Sequence, residues 1–150
     1  MPSTRQTFLE EIFRARLQTI RVTAGFNTDA GETVFLGEVA NLGPHDPDTA
    51  IAIVPGDIEV RRDQARKLFV QLPVEIQLVA KVSLDEPWVR IEQMLADVQK
   101  AIEVDDDLIR GAERSLAYGS ERVLPREAGM TTTGAGITYV ATWARKWGQP

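Results

Sequence analysis

Cysteine is absent from the 150 residues, and histidine occurs once, at His45. Without thiols there can be no disulfide, no thiolate metal site and no cysteine nucleophile. With a single imidazole, a zinc site built on several histidines is excluded, and a Ser-His-Asp triad would have to run through His45. That residue lies in a Pro/Gly-rich loop beside Asp46, and none of Ser3, Ser83, Ser115 or Ser120 sits in a G-x-S-x-G elbow. His45 is therefore read as a surface-loop residue. Long apolar runs are missing as well. Nothing approaches the roughly 20 residues needed to span a bilayer, and Met1 to Glu11 is polar, without the apolar stretch of a secretion signal. The expected location is the cytoplasm of the producing cell, with no membrane partner.

An excess of positive charge is also lacking. Lys and Arg number 17 against 22 Asp and Glu, a net charge of −5. Proteins that grip phosphate backbones carry a basic footprint instead. The one local basic patch, Arg61, Arg62, Arg66 and Lys67, is short, and no aromatic pair is expected on neighbouring strands as a base-stacking platform. Specific nucleic-acid binding is therefore not expected. Gly134-Ala135-Gly136 has neither a Walker lysine nor a following helix start, so it reads as a turn before the last strand. Asp105, Asp106 and Asp107 could offer carboxylates to a divalent cation, but they lack the alternating ligands and central glycine of an EF-hand loop. They read as a solvated acidic turn. No catalytic, cofactor or metal site is assigned.

What is present is an ordinary globular composition, 43% apolar and 26% charged, over a length that supports one core. Residues 1–150 are read as a single domain. Ser3 and Gln6 have capping-box spacing, and Phe8, Leu9, Ile12, Phe13, Leu17 and Ile20 then recur along a helix that is expected to stop near Gly25. After a turn over Asn27 to Glu32, Thr33–Val39 and Ala50–Val54 read as strands, separated by a Pro/Gly loop. Ile58 to Lys67 is highly charged and reads as a mobile loop or hairpin tip.

The clearest pattern follows. Every second residue from Leu68 to Leu84 is apolar, with mostly polar residues between, which predicts a strand with one core face. It would extend roughly 50 Å, far beyond the usual five or six residues. Pro73 lacks an amide donor and predicts an edge or a bulge. Asp85-Glu86-Pro87 starts a second helix with Asp85 as cap, and Trp88, Ile91, Leu95, Val98 and Ile102 form its stripe, widened by Met94 and Ala101. The acidic residues from Glu103 to Asp107 oppose the dipole at its end, so fraying is expected there. Ser120–Leu124 and Ile137–Ala144 read as the last strands. These elements predict an α+β fold: a mixed, largely antiparallel sheet of about five strands with two main α-helices packed on it.

The chain thus lacks recognisable chemistry but has an over-long alternating strand and charged loop tips. Such features suit a protein that acts by assembling through sheet edges and heterologous contacts. Five stretches in order carry a resemblance: "GFNTDAGETVFLG" after the opening helix, "AIAIVPGD", "LPVEIQLVAKV", "DEPWVRIEQMLADVQKAI" and the closing "GITYVATW". Together they span nearly the whole chain, which resembles the tail terminator proteins of long-tailed bacteriophages, small minor tail proteins that cap the tail tube. The resemblance implies a homohexameric ring at the head-proximal end of the tube, where polymerisation stops and head-completion or connector proteins dock. It implies no enzyme, no cofactor, and a path from host cytoplasm to virion tail. The contact surfaces are inferred from this sequence: the charged loop of Arg61, Arg62 and Arg66, and the outward side of the long strand at Gln71, Glu75 and Gln77. Another head–tail connector or tail completion protein, a small enzyme and a nucleic-acid-binding module are the alternatives.

Overall fold

A computed structural model describes residues 3–37, 42, 45–64, 66–110, 113–125 and 128–150. The opening helix, α1, runs over residues 4–17, and its Ser3–Gln6 capping box is formed in both directions. Its middle, Thr7–Arg14, is π-helical, with the Ala15 N–H donating to the Glu10 carbonyl five residues back. Long π segments are rare. The apolar spacing accounts for this one. Phe8, Ile12, Phe13 and Leu17 are separated by four and five residues, so a five-residue bonding register stacks them on one stripe, and all four are buried. The helix stops at Leu17, earlier than Gly25; that glycine, at φ +90°, instead closes a short 3-10 turn, Val22–Ala24. The early stop leaves the Ile20 carbonyl free to accept the Gly31 N–H, which docks the following turn on the helix end.

Six strands follow: β1 (Val34–Leu36), β2 (Thr49–Pro55), β3 (Glu59–Gln64), β4 (Lys67–Lys81), β5 (Ser115–Val123) and β6 (Thr132–Lys146). The second main helix, α2 (Pro87–Ile102), and a single turn, α3 (Asp107–Arg110), lie between β4 and β5. The sheet order is β1-β2-β4-β6-β5, and only β1 and β2 are parallel. The α+β reading holds, with one strand more than expected. The part of the strand expected over Thr33–Val39 that follows Gly37 lies outside the described residues. The extra strand is the charged segment, where β3 pairs back on β4 as a hairpin.

Strands β4 and β6 form a ribbon paired without interruption from Lys67↔Lys146 to Lys81↔Thr132. On its other side β4 pairs with β3 along its first part and with β2 along its second. Pro73 sits where those two partners change over. Its carbonyl accepts the Gly56 N–H, so its nitrogen faces the same gap and no ladder bond is lost. The expected edge or bulge is therefore corrected to a break between two partner strands.

Both main helices pack on one face of this sheet. Phe8, Ile12, Phe13, Leu17 and Ile20 meet Ile91, Met94, Leu95, Val98 and Ile102 over the inward residues of β2, β4 and β6. Two buried anchors fix the helices further. Asp97 of α2 accepts the Asn27 and Thr28 N–H groups and the Thr28 hydroxyl at 2.7–2.9 Å. Phe8 stacks on Trp143 with ring centroids 5.5 Å apart. Two expectations for α2 fail locally. Its cap is Glu86, in the left-handed region at φ +50° and without a side-chain bond, rather than Asp85. Trp88, expected in the core stripe, is 41% exposed, because burial on α2 begins only at Ile91.

The Gly134-Ala135-Gly136 run is also corrected. It lies inside β6 rather than in a turn. A Cβ on Gly134 would stand 2.3 Å from the Leu78 carbonyl oxygen of β4. The glycine lets two backbones approach where a side chain would force them apart. Gly134→Ala is expected to destabilise the fold by about 2 kcal/mol or more through this overpacking. Urea unfolding checks it: a midpoint equal to that of the parent chain would mean the ribbon is not packed this tightly.

Candidate assembly surface

Among the described residues, the sheet face opposite the helices is covered by no helix. Strand alternation places Phe69, Gln71, Pro73, Glu75 and Gln77 on it, the inward partners being Leu68 to Ile76. At one end Arg61 registers opposite Phe69 and Glu59 opposite Gln71. At the other, Val79, Ala50 and Ala52 join Leu42 in a small apolar cluster supported by Val54 and Leu124.

The centre of this face is a charged clasp over three strands. Arg122 of β5 donates twice to Glu75 of β4, from Nε to Oε2 at 2.7 Å and from Nη2 to Oε1 at 2.8 Å. The fork geometry of guanidinium on carboxylate makes this the strong form of an ion pair. β6 lies between them, and the carboxylate crosses it at Gly136, where a Cβ would stand 2.8 Å from Glu75 Oε2. The second glycine of the run thus gives the clasp its path. Gln77 Nε2 donates to Glu75 Oε1 at 2.8 Å and completes the group. The Arg122 bonds, with help from Gln77, outweigh desolvation and hold the Glu75 carboxyl below its ordinary value of 4.5.

The structure brings together some of the expected contact residues and separates others. Arg61 is exposed and Gln71 half-buried on the same face. Arg66 is exposed at the hairpin turn, at φ +71°, and its carbonyl accepts the Trp147 N–H. Arg62 registers opposite Leu68, and its side chain lies outside the described residues. Glu75 is engaged by Arg122 rather than presented to solvent. Gln77 is corrected outright: it is only 7% exposed, packed beside Ala52 and the clasp, and its Oε1 is buried without a hydrogen-bond partner. A cleft of about 190 Å³ adjoins it, lined by Val79, Arg122, Leu124 and Met130. Arg122 and Gly136 were not foreseen. Ser120–Leu124 reads as a strand, but the pairing that sets Arg122 beside Gly136 is not local information.

Three other regions carry polar or aromatic groups of note. The acidic end of α2 is held, not frayed. Arg16 donates to the Ile102 carbonyl at 3.2 Å, to that of Val104 at 3.4 Å, and to the Asp106 carboxylate. Asp106 also caps α3 through the Leu108 N–H. Against the upward push of desolvation, Arg16 and these amides hold Asp106 below the ordinary carboxylate value. Its carboxylate is thus engaged by protein groups. Among the described residues no three His, Asp or Glu side chains are grouped to hold a metal ion. Tyr118 and Tyr139 do pair across β5 and β6, edge-on at 6.1 Å, contrary to expectation. Only Tyr118 is exposed. Tyr139 is buried and donates to Glu103 at 3.2 Å, and burial, then the Glu103 charge, pushes its hydroxyl well up. His45 is exposed. No described helix is long and apolar enough to cross a membrane.

Comparison with known proteins adds nothing to these observations: no protein-family model matches the chain, and no curated protein matches it.

The clasp has a pH signature. Because the folded Glu75 carboxyl lies below its unfolded value, its contribution is present above the unfolded value and is lost as pH falls through the folded one. Arg122→Gln is expected to cost up to about 1 kcal/mol near neutral pH, since Arg122 is half-exposed. Melting temperatures of variant and parent should converge as pH falls below 4.5 and through the lowered folded value of Glu75. A gap unchanged by acid would mean that the charge of Glu75 is not what Arg122 holds.

Proposed function

We propose that this chain is a non-enzymatic phage or prophage structural protein that caps the tail tube as a ring. It stops tube polymerisation and offers head-completion or connector proteins a docking surface. Its partners are copies of itself, in a homohexamer, and the tail tube protein. It assembles in the host cytoplasm and ends in the virion tail. The observation that carries this reading is the one-sided sheet. Two 15-residue strands, β4 and β6, form a ribbon with every main helix on one face. The opposite face and the charged β3–β4 turn are left for contacts with other chains. The serial resemblance of the five quoted stretches supports the same reading.

The described surface favours protein contacts over nucleic acid. Arg61 and Arg66 stand at one end, whereas the central guanidinium, Arg122, is already committed to Glu75. Incubated with purified, uncapped tail tubes, the protein should add ring density at tube ends and stop elongation when fresh tube protein is supplied. Charge reversal at both Arg61 and Arg66 is expected to weaken end binding about tenfold, mainly through slower association. Tubes that stay bare and keep growing would overturn the proposal. Salt-sensitive retention on DNA, without tube binding, would replace it with the nucleic-acid-binding alternative.

A further inference from the structure

Two surfaces at opposite ends of the ribbon complement each other. The first is a socket of about 400 Å³ beside the N-terminus of α1. Val70 and Trp143 are its buried floor, Ile58 and Val60 are half-exposed walls, and Arg5 and Arg145 bring two guanidinium groups to it. An apolar cavity of this size with basic groups in its lining suits an apolar anchor flanked by carboxylates. The second surface is such an anchor. Trp88 and Val89, 41% and 48% exposed, project from the first turn of α2. Asp85, Glu86 and Glu92, all exposed, surround them, against one guanidinium at Arg90. Exposed tryptophan in a charged surround is typical of the few residues that carry interface energy.

The two surfaces cannot meet within one chain. Val70 precedes Lys81, the far end of β4, by roughly 36 Å of strand. α2 starts at that far end and runs back along the ribbon. Its Gln99 bonds Glu121, which registers with Ile137, and the following Glu103 bonds Tyr139. Trp88 therefore stands near Lys81, a strand length from the socket, while both surfaces lie on the helix-bearing side.

We propose that the socket of Val60, Val70 and Trp143 receives Trp88 and Val89 of a second copy of this chain, with Arg5 and Arg145 facing that copy's Asp85, Glu86 and Glu92. The contact is heterologous, because different patches meet. It therefore generates a closed ring if the rotation between copies closes, and an open filament if it does not. This inference rests on the ring-subunit reading above and names the contact by which copies join.

The absence of cysteine makes the test direct. A Val60→Cys, Val89→Cys double variant, with both positions half-exposed, is oxidised at increasing protein concentration, alone and on tail tubes. An intramolecular bond is ruled out by a separation far beyond the ~7 Å limit on Cα atoms. The expected result is a ladder of covalent oligomers, ending at one closed species on tubes. Each single variant should stop at dimers. Adding Arg5→Glu and Arg145→Glu should reduce the ladder at least tenfold, and Asp85→Lys with Glu86→Lys on the same chain should restore it. A double variant that gives no more than the single variants, in solution and on tubes, overturns the contact. If tube ends are still capped in that case, the capping reading survives and only the knob-in-socket contact falls. A ladder without tube binding has the opposite meaning: the contact stands and the capping reading fails.

Discussion

The uninterrupted pairing of β4 with β6 is the constraint on which the rest of the molecule depends. Fifteen residues of each strand are in register from Lys67↔Lys146 to Lys81↔Thr132. A two-stranded ribbon is marginal in water by itself. Here each half is stabilised differently. The half near Lys81 is widened by β2 and β1 and by β5, and both helices bury its inner face. The half near Lys67 is flanked by β3 alone on the β4 side, and the start of α1 covers its inner face through the Phe8–Trp143 stack. The break between β3 and β2 at Pro73 marks where one regime gives way to the other. The core runs on to Val70 and Trp143 but thins beyond them, so an inner residue such as Val60 stays half-exposed.

The ribbon also explains why the two glycines of β6 are needed. Gly134 permits the backbones to close at Leu78, and Gly136 lets the Glu75 carboxylate pass over β6 to Arg122. One substitution tolerance thus sets packing and the other sets electrostatics, although the residues are two positions apart. The clasp ties edge strand β5 to the central β4 from the solvent side, while Tyr139 and Leu116 tie it from the core side. An edge strand of nine mostly exposed residues is held by its neighbours' side chains as well as by its ladder.

Much of this was legible where the signal was local. The alternation from Leu68 announced β4, the stripe from Ile91 announced α2, and Ser3 with Gln6 announced the start of α1. What was missed depended on residues distant in sequence. The four-and-five spacing of Phe8, Ile12, Phe13 and Leu17 suits the π register, yet read along the sequence it passes for an ordinary amphipathic α-helix until the sheet shows that all four are buried together. Gly134 and Gly136 look like a turn until Leu78 and Glu75 are placed beside them. Gln77 follows the polar positions of an outward face, yet the clasp and Ala52 cover it. Trp88 continues the stripe of α2 in sequence, but burial on that helix starts one turn later. Arg16 could not be foreseen as the group that holds the acidic end of α2, since 90 residues separate it from Asp106.

The net charge of −5 conceals a polarity along the ribbon. Arg5, Arg61, Arg66, Arg145 and Lys146 gather at the end where β4 begins, while Asp48, Asp85, Glu86 and Glu92 belong to the end where it finishes. A uniform acidic shell would keep copies of the chain apart by self-repulsion. A shell divided this way still repels side by side but attracts end to end. The same composition that argues against gripping a phosphate backbone thus suits the oriented contact between copies proposed above. Orientation is what a ring requires, because every subunit must offer one end and accept the other.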